Sequence, residues 1–292
     1  MKKTFLWGLG PFITLWSTQA LSTLGSSMTS FALVIWTYQQ QGSALTTALL
    51  SVCSYAPYVV LSIFAGVVSD RWNKKYTMLA CDTLAAVTTC TVWILLATDN
   101  LKIWHLYLLN AVNGMMNSVQ QPASEVAVSL LAPKEQYQRI GGLQAFSRSL
   151  VTILTPVLAT AVLTLAGMNA ILLFDLMSFA IAFLTLAVCI SIPHTSQGEK
   201  TTPELFWQAA KKGFYFLQEN RGILDLILFL AGINLIASVY EAALPAMLLS
   251  RTGGSSTALG MVSTFTGIAT FVGSIAASLL PAPKSRIRVI CN

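Results

Sequence analysis

Gly66-Val67-Val68-Ser69-Asp70-Arg71-Trp72-Asn73-Lys74-Lys75 lies between two long apolar runs, one ending near Val68 and the next beginning near Tyr76. A connection this short makes the two flanking helices antiparallel neighbours. It also gathers one acid and three bases at one membrane face. Gly66 has no Cβ, so another helix can approach its backbone closely. Asp70 can pair with Arg71 or Lys74, or face the positive N-terminal end of another helix. Arg71, Lys74 and Lys75 suit a cytoplasmic loop. Taken alone, the stretch also fits a plain positive-inside loop with an incidental aspartate, so the rest of the chain must decide.

The chain has 292 residues, of which 55% are hydrophobic and only 10% charged, and its mean hydropathy is +0.68. Soluble domains carry about 25% charged residues. The apolar runs are continuous rather than alternating, which points to an all-α polytopic membrane protein and away from a β-barrel. A net charge of +6 would suit nucleic acid, but the bases sit between spans, so no nucleic-acid partner is expected. Cys53, Cys81, Cys90 and Cys189 fall within apolar runs and, with Cys291, show no metal or redox spacing. They read as small buried hydrophobes. His105 and His194 have no partners at ligand spacing, so neither metal nor cofactor is expected. Met1 to Ala20 has the look of a signal peptide, but the apolar run continues to about Tyr38 and reads as an uncleaved first span.

A bilayer core takes about 20 apolar residues per helix. That ruler predicts helices at roughly Pro11–Tyr38, Leu45–Val68, Tyr76–Thr98, from Ile103, Tyr137–Ala166, Ala170–Ile192, Ile223–Leu249 and Ala258–Leu280. Three domains follow: a six-helix bundle over 1–192, a cytoplasmic linker over 193–222 with an amphipathic helix, and a partial second bundle over 223–292. Small polar residues from Ser22 to Ser27 are expected to break the first helix. Of the 17 basic residues, Lys102 and Arg251 fall on one side and Arg148 within a span. The others, from Lys2 and Lys3 to Arg288, fall on the opposite side, which puts both termini in the cytoplasm of a bacterial-type inner membrane.

Polar groups inside spans are costly and mark packing or function. Asn110, Asn113, Asn117 and Gln120 recur at three, four and three residues, so they form one stripe on the fourth helix. Cavity lining and interhelical hydrogen bonding both account for such a stripe. Arg148 fits a snorkelling side chain or a coupling charge. Asp175, near the outer end of the sixth helix, fits a polar anchor or a proton site. Glu241 fits a solvated end residue or a cation or proton site. Asn234 is one more polar group in the seventh span.

The opening stretch resembles the signature between helices 2 and 3 of the major facilitator superfamily, roughly G-x-x-x-D-R-x-x-[RK]-[RK]. Gly66, Asp70, Arg71, Lys74 and Lys75 match it, and Asn73 stands where the family usually has glycine. Other features resemble the branch of macrolide and siderophore exporters: Leu24-Gly25, Gln41-Gly42-Ser43-Ala44, Asn113-Gly114 with Gln121-Pro122-Ala123, Leu131 to Glu135, and Asp175 with Ser178-Phe179. Departures are Asn110 where many proton-coupled exporters have arginine, Thr155 to Ala159 in place of a G-P-x-x-G pattern, and Ser26 where the branch often has an acid.

The resemblance implies the major facilitator fold, here a complete N-terminal six-helix bundle plus two helices of the C-terminal bundle. It implies a secondary transporter that exports an amphipathic organic compound by alternating access. Partners would be a small-molecule substrate, membrane lipid and protons as a coupling ion. The first, fourth and seventh helices would line the cavity, with Met28, Phe31 and Trp36 as apolar wall. Gly66, Asp70, Arg71, Lys74 and Lys75 would gate it. Eight helices against the family's twelve suggest a truncated form. The alternative is a non-transporting membrane remnant or assembly subunit. No catalytic cluster or G-x-S-x-G pattern is present, so no enzymatic activity is expected.

Overall fold

The computed structural model describes residues 10–131, 137–190, 215 and 218–279, without the side chains of 44, 63–71, 138–139 and 273–279. The turn at 132–136, nearly all of the linker helix and the basic segment after 279 fall outside these residues. The helices are α1 (Gly10–Gln41), α2 (Ala44–Arg71), α3 (Lys74–Ala97) and α4 (Ile103–Leu131), then a long run Tyr137–Leu184, α7 (Arg221–Arg251) and α8 (Ser256–Leu279). Gly167 breaks the long run with φ 78 and ψ −177, so it comprises α5 (137–166) and α6 (168–184). A π-helical turn, Thr185–Cys189, follows α6. Five of the described helical runs are long and apolar enough to cross a membrane, the 50-residue run Ile140–Cys189 being one. At about 1.5 Å per residue, α1 is about 48 Å long.

The predicted three-residue turn between the fifth and sixth helices narrows to Gly167. Its positive φ is a conformation that other residues adopt only with strain. Ala159 and Leu163 of α5 meet Ile171 and Met168 of α6 in one cluster with Met28 and Ala32, so the chain doubles back there. The expected break in α1 is absent. Its helix runs unbroken through Ser22 to Ser27, because Thr23 bonds back to the carbonyl of Gln19 at 2.8 Å and the neighbouring hydroxyls find partners or a cavity.

The stretch 66–75 is also more helical than predicted. α2 continues to Arg71 and α3 starts at Lys74, which leaves only Trp72 and Asn73 between them. Asn73 is the reason α3 starts there: its Oδ1 accepts from the Lys75 amide at 3.0 Å, with Asn73 at φ −63 and ψ 116. The amide that replaces the family's glycine is thus a helix N-cap. Replacing Asn73 with Ala should cost about 1 kcal/mol and with Gly a few tenths. Thermal unfolding of the two variants checks the order.

Packing is tightest where side chains are smallest. α4 crosses α2 at Gly114, where a Cβ would fall on the carbonyl oxygen of Ser54. α8 lies on α5 through Gly260 and Gly267. α7 differs. Ala246 and Leu249 near its end are buried, and Leu249 clusters with Ile35 and Leu259. Its first twenty residues, by contrast, expose apolar side chains such as Leu228, Ile236 and Val239. The four free thiols among the described residues also divide: Cys81 is buried, Cys53 and Cys90 half-buried, and Cys189 exposed. Cys189, at the end of the π-helical turn, departs from the expected buried class.

Candidate functional site

Helices α1 to α6 line a half-open cavity of about 920 Å³. Small residues in the centre of α1 open it: Ser22, Thr23, Ser26, Ser27 and Ser30 all face it. Phe31, Leu33, Val34 and Phe179 add apolar wall. The amide stripe of α4 supplies the opposite side through Asn110, Asn113, Asn117 and Gln120. Both accounts of that stripe apply to different members. Asn113 accepts from Thr88 on α3 at 3.1 Å, and Gln120 donates to Asp82 on α3. Asn110 bonds back to the Leu106 carbonyl at 2.9 Å. Gln121 accepts from Tyr58 on α2 at 2.7 Å. Asn117 is exposed and lines the cavity.

Two buried carboxylates face this cavity. Asp175 is 3% exposed. It accepts from Ser26 at 2.9 Å and from Thr29 and Thr89 at 3.0 Å each. Three hydroxyls from α1 and α3 thus hold an acid of α6. Asp175 was expected near the outer end of its span. It lies instead against Gly25, close to the midpoint of α1. Ser26 is therefore a donor to an acid brought by another helix. The second carboxylate, Asp82, is 5% exposed and accepts from Gln19 of α1 at 3.2 Å as well as from Gln120 of α4. Sequence reasoning passed over Asp82, although a lone acid in the apolar stretch from Tyr76 to Ala97 is itself a signal.

Other expected site residues are scattered. Phe31 lines the cavity. Met28 is 1% exposed and packs with Ala159 and Ile171 in the α1–α5–α6 core, so it is no cavity wall: residue 28 falls on the opposite face of α1. Trp36 borders a separate recess of about 520 Å³ with Gln40, Lys102 and Trp104. Arg148 and Glu125 are exposed and line the main cavity. Asn234 and Glu241 are exposed on α7. Asn234 is spent on the Leu230 carbonyl at 2.8 Å. α7 contributes no described residue to the lining, contrary to expectation, because only its far end packs on the bundle. The Gly66, Asp70 and Arg71 side chains lie outside the described residues. Lys74 is buried, its Nζ 3.2 Å from the Trp72 carbonyl. Lys75 donates to the carbonyls of Ala187 and Ile190 at 2.8 and 2.7 Å. It thereby closes the C-terminal end of α6, where a cation is favoured. Among the described residues, no group of three or more His, Cys, Asp or Glu is placed to hold a metal.

A helical bundle around a polar cavity now meets the comparison with known families. The family described as Major Facilitator Superfamily matches residues 15–291. The chain belongs to the major facilitator superfamily. Macrolide efflux protein A of Streptococcus pyogenes is 26% identical over 228 residues, which is 78% of this chain and 56% of that protein. The protein of the same name from Enterococcus faecalis is 25% identical over 187 residues, covering 64% of this chain and 57% of that protein. The chain thus spans about half the length of the curated relatives it matches. Among solved structures, a bacterial homolog of the human lysosomal transporter Spinster matches with a TM-score of 0.65 at 12% identity. That match covers 95% of this chain and 63% of that one, and it bears on the fold. Membership of that superfamily accounts for the helices and the cavity together.

Proposed function

We propose that this superfamily transporter exports an amphipathic organic compound across the inner (plasma) membrane by alternating access, with both termini in the cytoplasm. The cavity carries this reading. Its volume of about 920 Å³ lies at the upper end of the range for small-molecule sites. Its wall mixes amides, hydroxyls and aromatic rings, as a substrate with polar and apolar parts requires. The relatives named macrolide efflux proteins point to an antibiotic of that kind, and protons are the proposed coupling ion. The measurement is accumulation of a radiolabelled macrolide in sensitive cells that express the chain. Lower accumulation than in vector controls supports export. Equal accumulation sinks it.

Two predictions separate the parts of the site. Asn117→Ala should weaken substrate binding severalfold while leaving the melting temperature unchanged. Asn113→Ala should instead lower the melting temperature slightly, since it removes the α3–α4 bond from Thr88, whose hydroxyl keeps only its bond to the Ala85 carbonyl. Ligand titration and thermal unfolding of each variant read the split. Asp70 and Arg71 are proposed to gate from the end of α2, just before the short turn, and Lys74 and Lys75 to hold that turn in place. Asp70→Ala should therefore slow transport about tenfold or more with little change in substrate affinity. Equal loss of both would remove the gating role.

A further inference from the structure

We propose that Asp82 is the charge anchor of the cavity, and that the ligand it takes is an amphipathic organic cation, such as a protonated or quaternary amine on an apolar body. The inference rests on the cavity being the substrate site and adds the chemical class of the substrate. Asp82 carries the only charge between Tyr76 and Ala97, and it is 5% exposed. An acid so placed needs compensation. The protein supplies two neutral amides, Gln19 from α1 and Gln120 from α4. Among the described residues no lysine or arginine pairs with it. A carboxylate has about four lone-pair positions, so the two amides leave room for a further donor.

Asp175 makes the contrast. Three hydroxyls already surround it, and Gly25 packs against it, so it holds helices together. The charge of the cavity agrees with a cationic guest, since among its described lining residues Asp82, Glu125 and Asp175 stand against Arg148 alone. On the α5 side the hydroxyl of Thr155, another lining residue, has no partner among the described residues. Phe31 and Phe179 offer surface for the apolar body. Their π faces add attraction for a cation.

Tetraphenylphosphonium and tetraphenylborate test this, because they share a shape and differ in the sign of their charge. Equilibrium dialysis of each against the purified chain in detergent, corrected for empty micelles, gives two dissociation constants. The cation should bind at least tenfold more tightly than the anion. Asp82→Asn should weaken the cation about ten- to hundredfold, the range of a charge-assisted contact, and Asp82→Glu should retain most of it. Equal binding of the two ions, or unchanged cation binding in a folded Asp82→Asn protein, overturns the proposal and leaves the cavity reading standing. Binding of neither ion overturns both. Should Asp82→Asn fail to fold, the comparison of the two ions on the unaltered chain decides by itself.

Discussion

Gly114→Ala should destabilise the bundle by about 3 kcal/mol or more, the upper end of what overpacking costs. A methyl at this position would fall on the carbonyl oxygen of Ser54, with the Ser54 carbonyl carbon 2.8 Å away. The obstacle is helix backbone, which cannot rotate aside as a side chain would. α2 and α4 would have to separate, and the bond from Tyr58 to Gln121 two turns on would be pulled apart with them. Gly114→Leu should yield no folded protein. Thermal challenge followed by size-exclusion chromatography gives the comparison, and a native-like melting profile for Gly114→Ala would refute the close crossing.

Asp175→Ala should cost about 2–3 kcal/mol, and Asp175→Asn about 1 kcal/mol. Alanine leaves the hydroxyls of Ser26, Thr29 and Thr89 without their acceptor and opens a void beside Gly25. The loss stays below the sum of three charge-assisted bonds for two reasons. Removing the carboxylate also removes its own desolvation penalty. The freed hydroxyls can turn to carbonyls one helical turn back. Asparagine keeps the shape and can both accept and donate, so it should preserve most of the contacts. Melting temperatures of the two variants against the parent give the ranking. Asparagine as damaging as alanine would mean that charge, rather than hydrogen bonding, binds α1, α3 and α6 together.

The sequence was most readable where one periodicity dominates. Apolar run lengths placed the spans, and the three-four-three spacing placed Asn110, Asn113, Asn117 and Gln120 on one helix face, which the structure turns to the cavity. It was least readable where partners come from distant parts of the chain. Nothing local to Ser26 shows that Asp175, 149 residues away, accepts its proton. Asp82 escaped because its context held no motif, while its partners Gln19 and Gln120 sit on two other helices. Met28 is large and apolar beside polar neighbours and so reads as wall; it lies about 60° round the helix from Phe31, turned away from the cavity and onto Ala159 and Ile171. Asn73 looked like a flaw in a pattern, and only the geometry of the α3 start shows it as a cap.

The two bonds from Lys75 have a practical consequence for following motion. They fasten the end of α6 to the start of α3, and the exposed thiol of Cys189 lies between the two carbonyls they use. A spin label on that thiol would ride on the first bundle as a fixed benchmark. Paired with labels on α3, it should report one narrow distance in every functional state. Paired with labels on α7, it should report the stroke of the machine, and the difference between the two sets measures how far one half travels against the other.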